Sequence, residues 1–421
     1  MTSIVATPPT EVSGSVFDRD AASQATVPGQ RIHYFDWLRA IAVLGVVVYH
    51  TLLPFARSTW LIRNAEQSDL LLAVVLLFET FGLAILFLIA GVSVRFALQH
   101  LSMRAFLAER AKRLLVPFVV GALVVVPPTG YIIGLHIGTV SGSFLAFLMA
   151  YPGTVLAYNL TNVGLSPELL TNVGMHLWFL AWLFICSALG LPIFALISST
   201  VGRSCVDALA RLARWRGAML LLGVPITLPR LFLYALSSAD QGWALEAFAW
   251  YAIIFVVGYL LYADDRLVRA ARRDLGLALM VAVVGSAALL AAGFVQWSEV
   301  PKTYGPTYFL MLSLVGITGW AWTLTVLGVG MWAGFMQRPL PARAGEAALP
   351  TYVLHFPIVI AISILVVQWP LGVGAKFLAN TLLGVVASLL VATALLRISL
   401  LRPLLGVRRL PPNAVQQGTP G

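Results

Sequence analysis

Residues 38–56 read LRAIAVLGVVVYHTLLPFA, an almost wholly apolar run that carries one arginine and one histidine. A helix that crosses hydrocarbon needs about 20 predominantly apolar residues, and this stretch is long enough. Working outward gives nine more such runs: Leu70–Leu98, Leu115–Leu135, His176–Ser198, Ala218–Leu236, Trp243–Tyr262, Leu275–Trp297, Phe309–Phe335, Thr351–Trp369 and Lys376–Ile398. One further stretch, Ser143–Asn159, is shorter, contains Pro152 and Gly153, and reads as a re-entrant or surface segment. Over 421 residues the chain is 60% hydrophobic and only 10% charged, with a mean hydropathy of +0.90. A soluble domain carries about 25% charged residues, so this surface is not built for water. The expectation is an all-α, polytopic integral membrane protein of about ten transmembrane helices. Cys186 and Cys205 provide no disulfide framework.

Orientation follows from the cations, which concentrate on the cytoplasmic side of span ends. Segments 99–114, 199–217, 263–274, 336–350 and the tail after 398 hold Arg104, Arg110, Lys112, Arg113, Arg203, Arg211, Arg214, Arg216, Arg266, Arg269, Arg272, Arg273, Arg338, Arg343, Arg402, Arg408 and Arg409. The opposite side holds Arg57, Arg63, Lys302 and Lys376. An eleventh span at Ser143–Asn159 would put three arginine-rich segments outside, so ten spans with both termini cytoplasmic is the better reading. The net charge of +10, with 24 arginines among 27 cations, is then a topological signal, and no nucleic-acid partner is expected. Residues 1–32, rich in Pro, Ser and Thr and without a hydrophobic core region, read as a disordered cytoplasmic tail without a cleavable signal. Residues 33–400 read as the membrane domain and 401–421 as a cytoplasmic C-terminal tail.

Ionisable side chains inside a span are costly, so each one calls for a cavity or a partner. Arg39 and His50 are eleven residues apart, which is three helical turns plus roughly 20°, so they share one face about 16 Å apart. That spacing sets His50 near the bilayer midplane. Glu79 in the second span is read at a similar depth. Arg230 follows Pro225 and Pro229 in the fifth span, where the prolines leave carbonyls free. His176 opens the fourth span in the run His176-Leu177-Trp178-Phe179-Leu180, and His355 lies in the ninth, two residues before Pro357. Together these residues describe a polar track between the two faces. The plainer alternative is a structural Glu79–Arg230 ion pair with histidines satisfied by backbone. Arg110 and Arg113 suit phosphate oxygens, which guanidinium groups engage bidentately; the plainer alternative there is ordinary positive-inside charge. No two histidines or carboxylates sit at ligand spacing on one span, so no metal is implied.

These motifs together resemble the acyltransferase-3 family of bacterial membrane acyltransferases. The resemblance rests on Tyr34-Phe35-Asp36-Trp37-Leu38-Arg39 with His50, on Phe87-Leu88-Ile89-Ala90-Gly91, and on Arg110-Ala111-Lys112-Arg113 before Leu114-Leu115-Val116-Pro117. Ala90 stands where the family usually has serine. The stretches His176-Leu177-Trp178-Phe179-Leu180 and Tyr352-Val353-Leu354-His355-Phe356-Pro357 are similar to motifs of the glucan biosynthesis protein C branch, which succinylates periplasmic glucans. The resemblance implies a multi-pass protein of the bacterial cytoplasmic (inner) membrane. Its implied activity moves an acetyl or succinyl group from acyl-CoA, a co-substrate with no cofactor bound, to an extracytoplasmic glycan or glycolipid. It further implies that His50 is essential and accompanied by Arg39, and that Arg110 and Arg113 serve the acyl donor. His50 as general base and His50 as covalent acyl carrier both remain open. Glu79, His176, Arg230 and His355 are read as lining the substrate track.

A competing reading is a transporter or flippase for a glycan or lipid intermediate, since midplane polar residues and proline-broken helices also suit transport. The absence of two halves with matching broken segments counts against it. The orientation is directly testable. Reporters fused after residues 108, 208, 270, 343 and 415 are expected to report cytoplasm, and those within 136–175 and 298–306 the outside. A cytoplasmic signal from residue 155 sinks the ten-span topology.

Overall fold

The computed structural model describes residues 32–408 apart from 59, 163–166, 236–243 and 293–302. Of the tails expected at 1–32 and 401–421, residues 1–31 and 409–421 lie outside the described residues, as do the outer ends of the fifth, sixth and seventh apolar runs; within the second tail, Leu401–Leu404 is helical and Arg402 is buried. The helices belong to one unit, His33–Gly421. In chain order they begin with α1 (His33–Leu52), α2 (Asp69–Ala97), α3 (Met103–His136), α4 (Phe144–Asn162), α5 (Leu169–Leu189), α6 (Leu191–Ser198) and α7 (Thr200–Leu212). There follow α8 (Ala218–Leu233), α9 (Ala244–Leu261), α10 (Asp265–Arg273), α11 (Leu275–Ala291), α12 (Pro306–Trp332), α13 (Ala342–Val366) and α14 (Val373–Leu395). Beyond helices, the described residues contain one isolated bridge, between Ala56 and Ser68.

Seven of these helices, α1, α2, α3, α5, α12, α13 and α14, are long and apolar enough to cross a membrane. The count rises to nine if each of two bent pairs, α6 with α7 (77°) and α9 with α10 (111°), is taken as one span. The protein is an all-α, polytopic membrane protein. Each of the ten apolar runs falls on helix, but α8 and α11, like α4, are shorter than a full span within the described residues.

The pattern on α14 shows how such a chain sorts its side chains. Lys376, Asn380, Gly384, Ser388 and Ala392, each four residues apart, are buried, while Leu378, Leu382, Val386 and Leu390 are exposed. A water-soluble helix does the reverse. Here polar and small residues face the protein and leucines face outward, as hydrocarbon requires. The inward groups are all employed: Asn380 Nδ2 donates to the Thr51 carbonyl at 3.0 Å and Lys376 Nζ to Asn64 Oδ1 at 2.9 Å. They tie α14 to α1 and to the loop behind it. Helix α1 packs against α2, α12, α13 and α14 and so runs through the centre of the bundle.

The segments read as inner loops are largely helical. Arg104, Arg110, Lys112 and Arg113 sit on α3, α7 occupies 200–212 and α10 occupies 265–273. Charge density disguises these helices, because their apolar faces are narrow. Each has a side-chain N-cap: Ser102 accepts from Ala105 N at 3.3 Å, Ser199 from Gly202 N at 3.1 Å and Asp264 from Arg266 N at 2.8 Å. Each also buries a stripe, of Phe106, of Val206 with Ala210, and of Leu267 with Ala270 and Ala271. Arg266 then pins α10 to α7 through Asp207 at 2.6 Å.

Helices α2 and α9 cross at paired glycines. A β-carbon on Gly91 would overlap the Phe255 carbonyl, and one on Gly258 would overlap the Leu88 carbonyl. Backbone cannot rotate out of the way as a flexible side chain can. Gly91→Ala is therefore expected to cost about 1–3 kcal/mol through overpacking. It should lower the melting temperature in detergent, while Gly153→Ala, with nothing within 4 Å of the added methyl, leaves it unchanged or slightly raised.

Candidate active site

Helix α1 stops at Leu52, which places His50 in its last turn and not in mid-helix. The following loop folds back into the bundle, with Phe55, Ala56 and Ile62 fully buried. Its Trp60 ring rests 6.1 Å from the His50 ring and 6.0 Å from that of Phe356. The Val46 carbonyl lies 2.9 Å from His50 Nδ1. A carbonyl only accepts, so Nδ1 carries the hydrogen and the lone pair of the neutral ring is on Nε2.

Helix α13 supplies the opposite wall, and Pro357 decides its chemistry. Proline has no N–H, so the carbonyl four residues back, that of Val353, loses its helical donor. His176 Nε2 donates to that carbonyl at 3.0 Å. The Tyr352 hydroxyl donates in return to the His176 carbonyl, so the two segments are stitched together from both sides. Met175, just before His176, has φ of 46°, a left-handed conformation unusual outside glycine. This turn swings His176 onto α13. His355 is fully buried, donates from Nδ1 to the Tyr352 carbonyl at 2.7 Å, and brings Nε2 to 3.3 Å from His50 Nδ1. The Phe356 ring stacks on His176 at 4.8 Å and meets His50 edge-on at 5.0 Å. Three histidines from three distant parts of the chain thus form one cluster around Phe356.

The other residues of the expected track divide between two further places. Glu79 accepts from the Tyr49 hydroxyl at 2.7 Å, one residue from His50. Arg230 does not pair with Glu79. It pairs with Glu246 at 2.7 Å, both side chains being almost fully buried, and its guanidinium lies 4.1 Å from the centre of the Trp250 ring. The depth of Glu79 along its helix is compatible with Arg230, but α8 packs on α9, which brings Glu246 to it instead. Glu246 carries a visible sequence signal, a carboxylate inside the sixth apolar run. Tyr352 opens the motif that ends at Pro357, whereas Tyr49 and Trp60 carry no such signal, because aromatics are common in and beside spans.

At the far end of α1, Arg39 donates to Asp36 at 3.1 Å and to the Ser93 hydroxyl at 2.5 Å. Arg110 reaches the Ala90 carbonyl at 3.4 Å and lies over the Phe106 ring at 5.2 Å. Arg110 and Arg39 thus both reach the end of α2, at Ala90 and Ser93. Between Arg110 and Arg113 the helix widens into a π-turn at Ala111–Leu115, a rare feature often found at functional sites. The wider turn presents the pair differently, with Arg110 partly buried and Arg113 exposed. Among the described residues, no three His, Cys, Asp or Glu side chains gather so as to hold one metal ion.

Residues 32–397 match the Acyl_transf_3 family, described as an acyltransferase domain. The chain belongs to the acyltransferase-3 family. No curated protein and no solved structure matches it. As an acyltransferase-3 protein it is an acyltransferase, embedded in the bilayer and acting between an acyl donor and an acceptor. Its histidine cluster depends on the Tyr352–His176 stitch. Tyr352→Phe in this acyltransferase-3 chain is expected to lower stability by about 0.5–1.5 kcal/mol, read as a reduced melting temperature in detergent. An unchanged melting temperature would show that the stitch contributes nothing.

Proposed function

We propose that this acyltransferase moves an acetyl- or succinyl-type group from cytoplasmic acyl-CoA to a carbohydrate hydroxyl on the extracytoplasmic side of a bacterial inner membrane, with ten spans and both termini cytoplasmic. The similarity of two motifs to the glucan biosynthesis protein C branch favours a glycan acceptor. The observation that carries the reading is the tautomer of His50. With Nδ1–H held on the Val46 carbonyl, Nε2 offers the lone pair that a general base needs.

Arg110, Arg113 and Arg39 support the donor half of the reading. Guanidinium groups gathered at one end of α1 and α3 suit the phosphates of coenzyme A, and the thioester arm then lies along α1 toward His50. In the reaction His50 Nε2 takes the acceptor's hydroxyl proton as the oxygen attacks the thioester carbonyl. The C–S bond breaks, the thiolate leaves, and the imidazolium returns the proton to sulfur. Ester and free coenzyme A are the products, and the histidine ends as it began. Glu79, His176 and Arg230 are assigned to the walls of this passage.

Two experiments test the reading. His50→Ala and His50→Gln are expected to insert normally but to lose acylation by about 10²–10⁴-fold, measured by mass spectrometry of surface glycans from cells with each variant. Near-normal ester content with well-folded His50→Ala removes His50 from the chemistry. Replacing both Arg110 and Arg113 by Ala removes charged hydrogen bonds that contribute on the order of 1.5–3 kcal/mol each. The apparent donor constant in membranes should then rise by about tenfold or more, with acceptor dependence unchanged. An unchanged donor titration in a correctly oriented variant leaves the pair a purely topological role.

A further inference from the structure

We propose that His355 is the positioning residue of the transfer reaction: it holds His50 in the base-competent tautomer and steadies the imidazolium that forms on it. The proposal rests on the reading of His50 as the base. His355 Nδ1 is 2.7 Å from the Tyr352 carbonyl, and His50 Nδ1 is 2.9 Å from the Val46 carbonyl. Both carbonyls only accept, so both Nδ1 atoms carry hydrogen. The 3.3 Å contact between His355 Nε2 and His50 Nδ1 cannot then be two N–H groups facing each other. His355 Nε2 is bare, and the His50 Nδ1–H is shared between it and the Val46 carbonyl.

The consequence is directional. Moving the hydrogen of His50 from Nδ1 to Nε2 abandons two acceptors at once, so the lone pair stays on Nε2. When Nε2 takes the acceptor's proton, the positive charge spreads over the ring and the Nδ1–H···Nε2 contact becomes a charge-assisted hydrogen bond, roughly twice as strong as a neutral one. An interaction that strengthens only as charge develops accelerates the chemical step without tightening substrate binding. The logic matches the third member of a catalytic triad, which holds a histidine's tautomer without taking its proton, with a neutral imidazole in place of a carboxylate. The groups facing the pair are consistent with this. His176 meets the His355 ring edge-on at 5.3 Å, Phe356 and Tyr49 flank His50, and the nearest carboxylate in the chain of contacts, Glu79, is engaged by Tyr49. His355 is the neighbour whose ring nitrogen reaches His50. Its place is set by α13, where Tyr352, which orients it, is bonded to the His176 carbonyl.

The test compares His355→Leu, which keeps bulk but has no acceptor, with His355→Gln, whose amide oxygen can take the Nδ1–H. Full-length protein is expressed in cells lacking the wild-type copy, and the initial rate of ester appearance on surface glycans after induction is measured at matched protein level and melting temperature. His355→Gln is expected to stay within about threefold of wild type and His355→Leu to fall about 10- to 100-fold, the loss of one charge-assisted hydrogen bond from the transition state. A packing role predicts the opposite order, with leucine at least as good as glutamine. Wild-type rates for His355→Leu, or equal losses for both variants at wild-type melting temperature, overturn the proposal. If His355→Leu does not fold, His355→Met serves in its place with the same expectation. His50→Ala is run alongside: if it stays active, the base assignment itself fails, whereas an inactive His50→Ala beside an active His355→Leu refutes only the positioning role.

Discussion

Hydrocarbon offers no hydrogen bonds, so a peptide carbonyl deprived of its helical donor must find another inside the protein or cost several kcal/mol. Pro357 creates such a carbonyl at Val353, and His176 answers it at 3.0 Å. Much of the site hangs on that one bond. It requires the left-handed turn at Met175, lays the His176 ring on Phe356, and sets the backbone of α13 where Tyr352 and His355 can work. A proline that would be a defect in a solvated helix here becomes the point to which a second segment is attached.

The same rule governs the charges. Arg230 and Glu246 are buried together, with Trp250 beneath the guanidinium. Such a pair adds little net stability over an apolar replacement, but it is expensive to break from one side. It is therefore better read as a constraint on how α8 sits against α9 than as glue. Arg39, by contrast, is held by Asp36 and Ser93 at an end of α1 where Arg110 also points. The protein thus separates its polar groups into an imidazole centre at one end of α1 and a guanidinium centre at the other. The function we propose uses that separation directly, since guanidinium groups suit phosphate oxygens and a neutral imidazole suits a hydroxyl proton.

Small residues set how closely the helices carrying these centres approach. Gly91 and Gly258 let α2 and α9 touch backbone to backbone, the usual route to tight association where no hydrophobic force draws helices together. Ala90, next to this crossing, contributes a carbonyl to Arg110. The packing of the bundle and the placement of Arg110 are consequently one arrangement.

The amino-acid sequence by itself determined the features that depend on neighbours along the chain. Apolar runs become helices because a span must satisfy its own backbone, and Arg39 and His50 share a face of α1 because eleven residues are nearly three whole turns. The arginine-rich segments show where this local reading runs out: their charge masked narrow apolar faces that become buried, so stretches expected to be loops are the helices α7 and α10. Tertiary structure alone decided which partners meet. Glu79 and Glu246 were both available to Arg230, and only the packing of α8 on α9 chose Glu246. His50 and His355 are 305 residues apart and touch because α1 lies against α13. Depth along a helix can be counted from sequence, but the direction a face looks is set by the neighbour it packs against, and that is a property of the whole bundle.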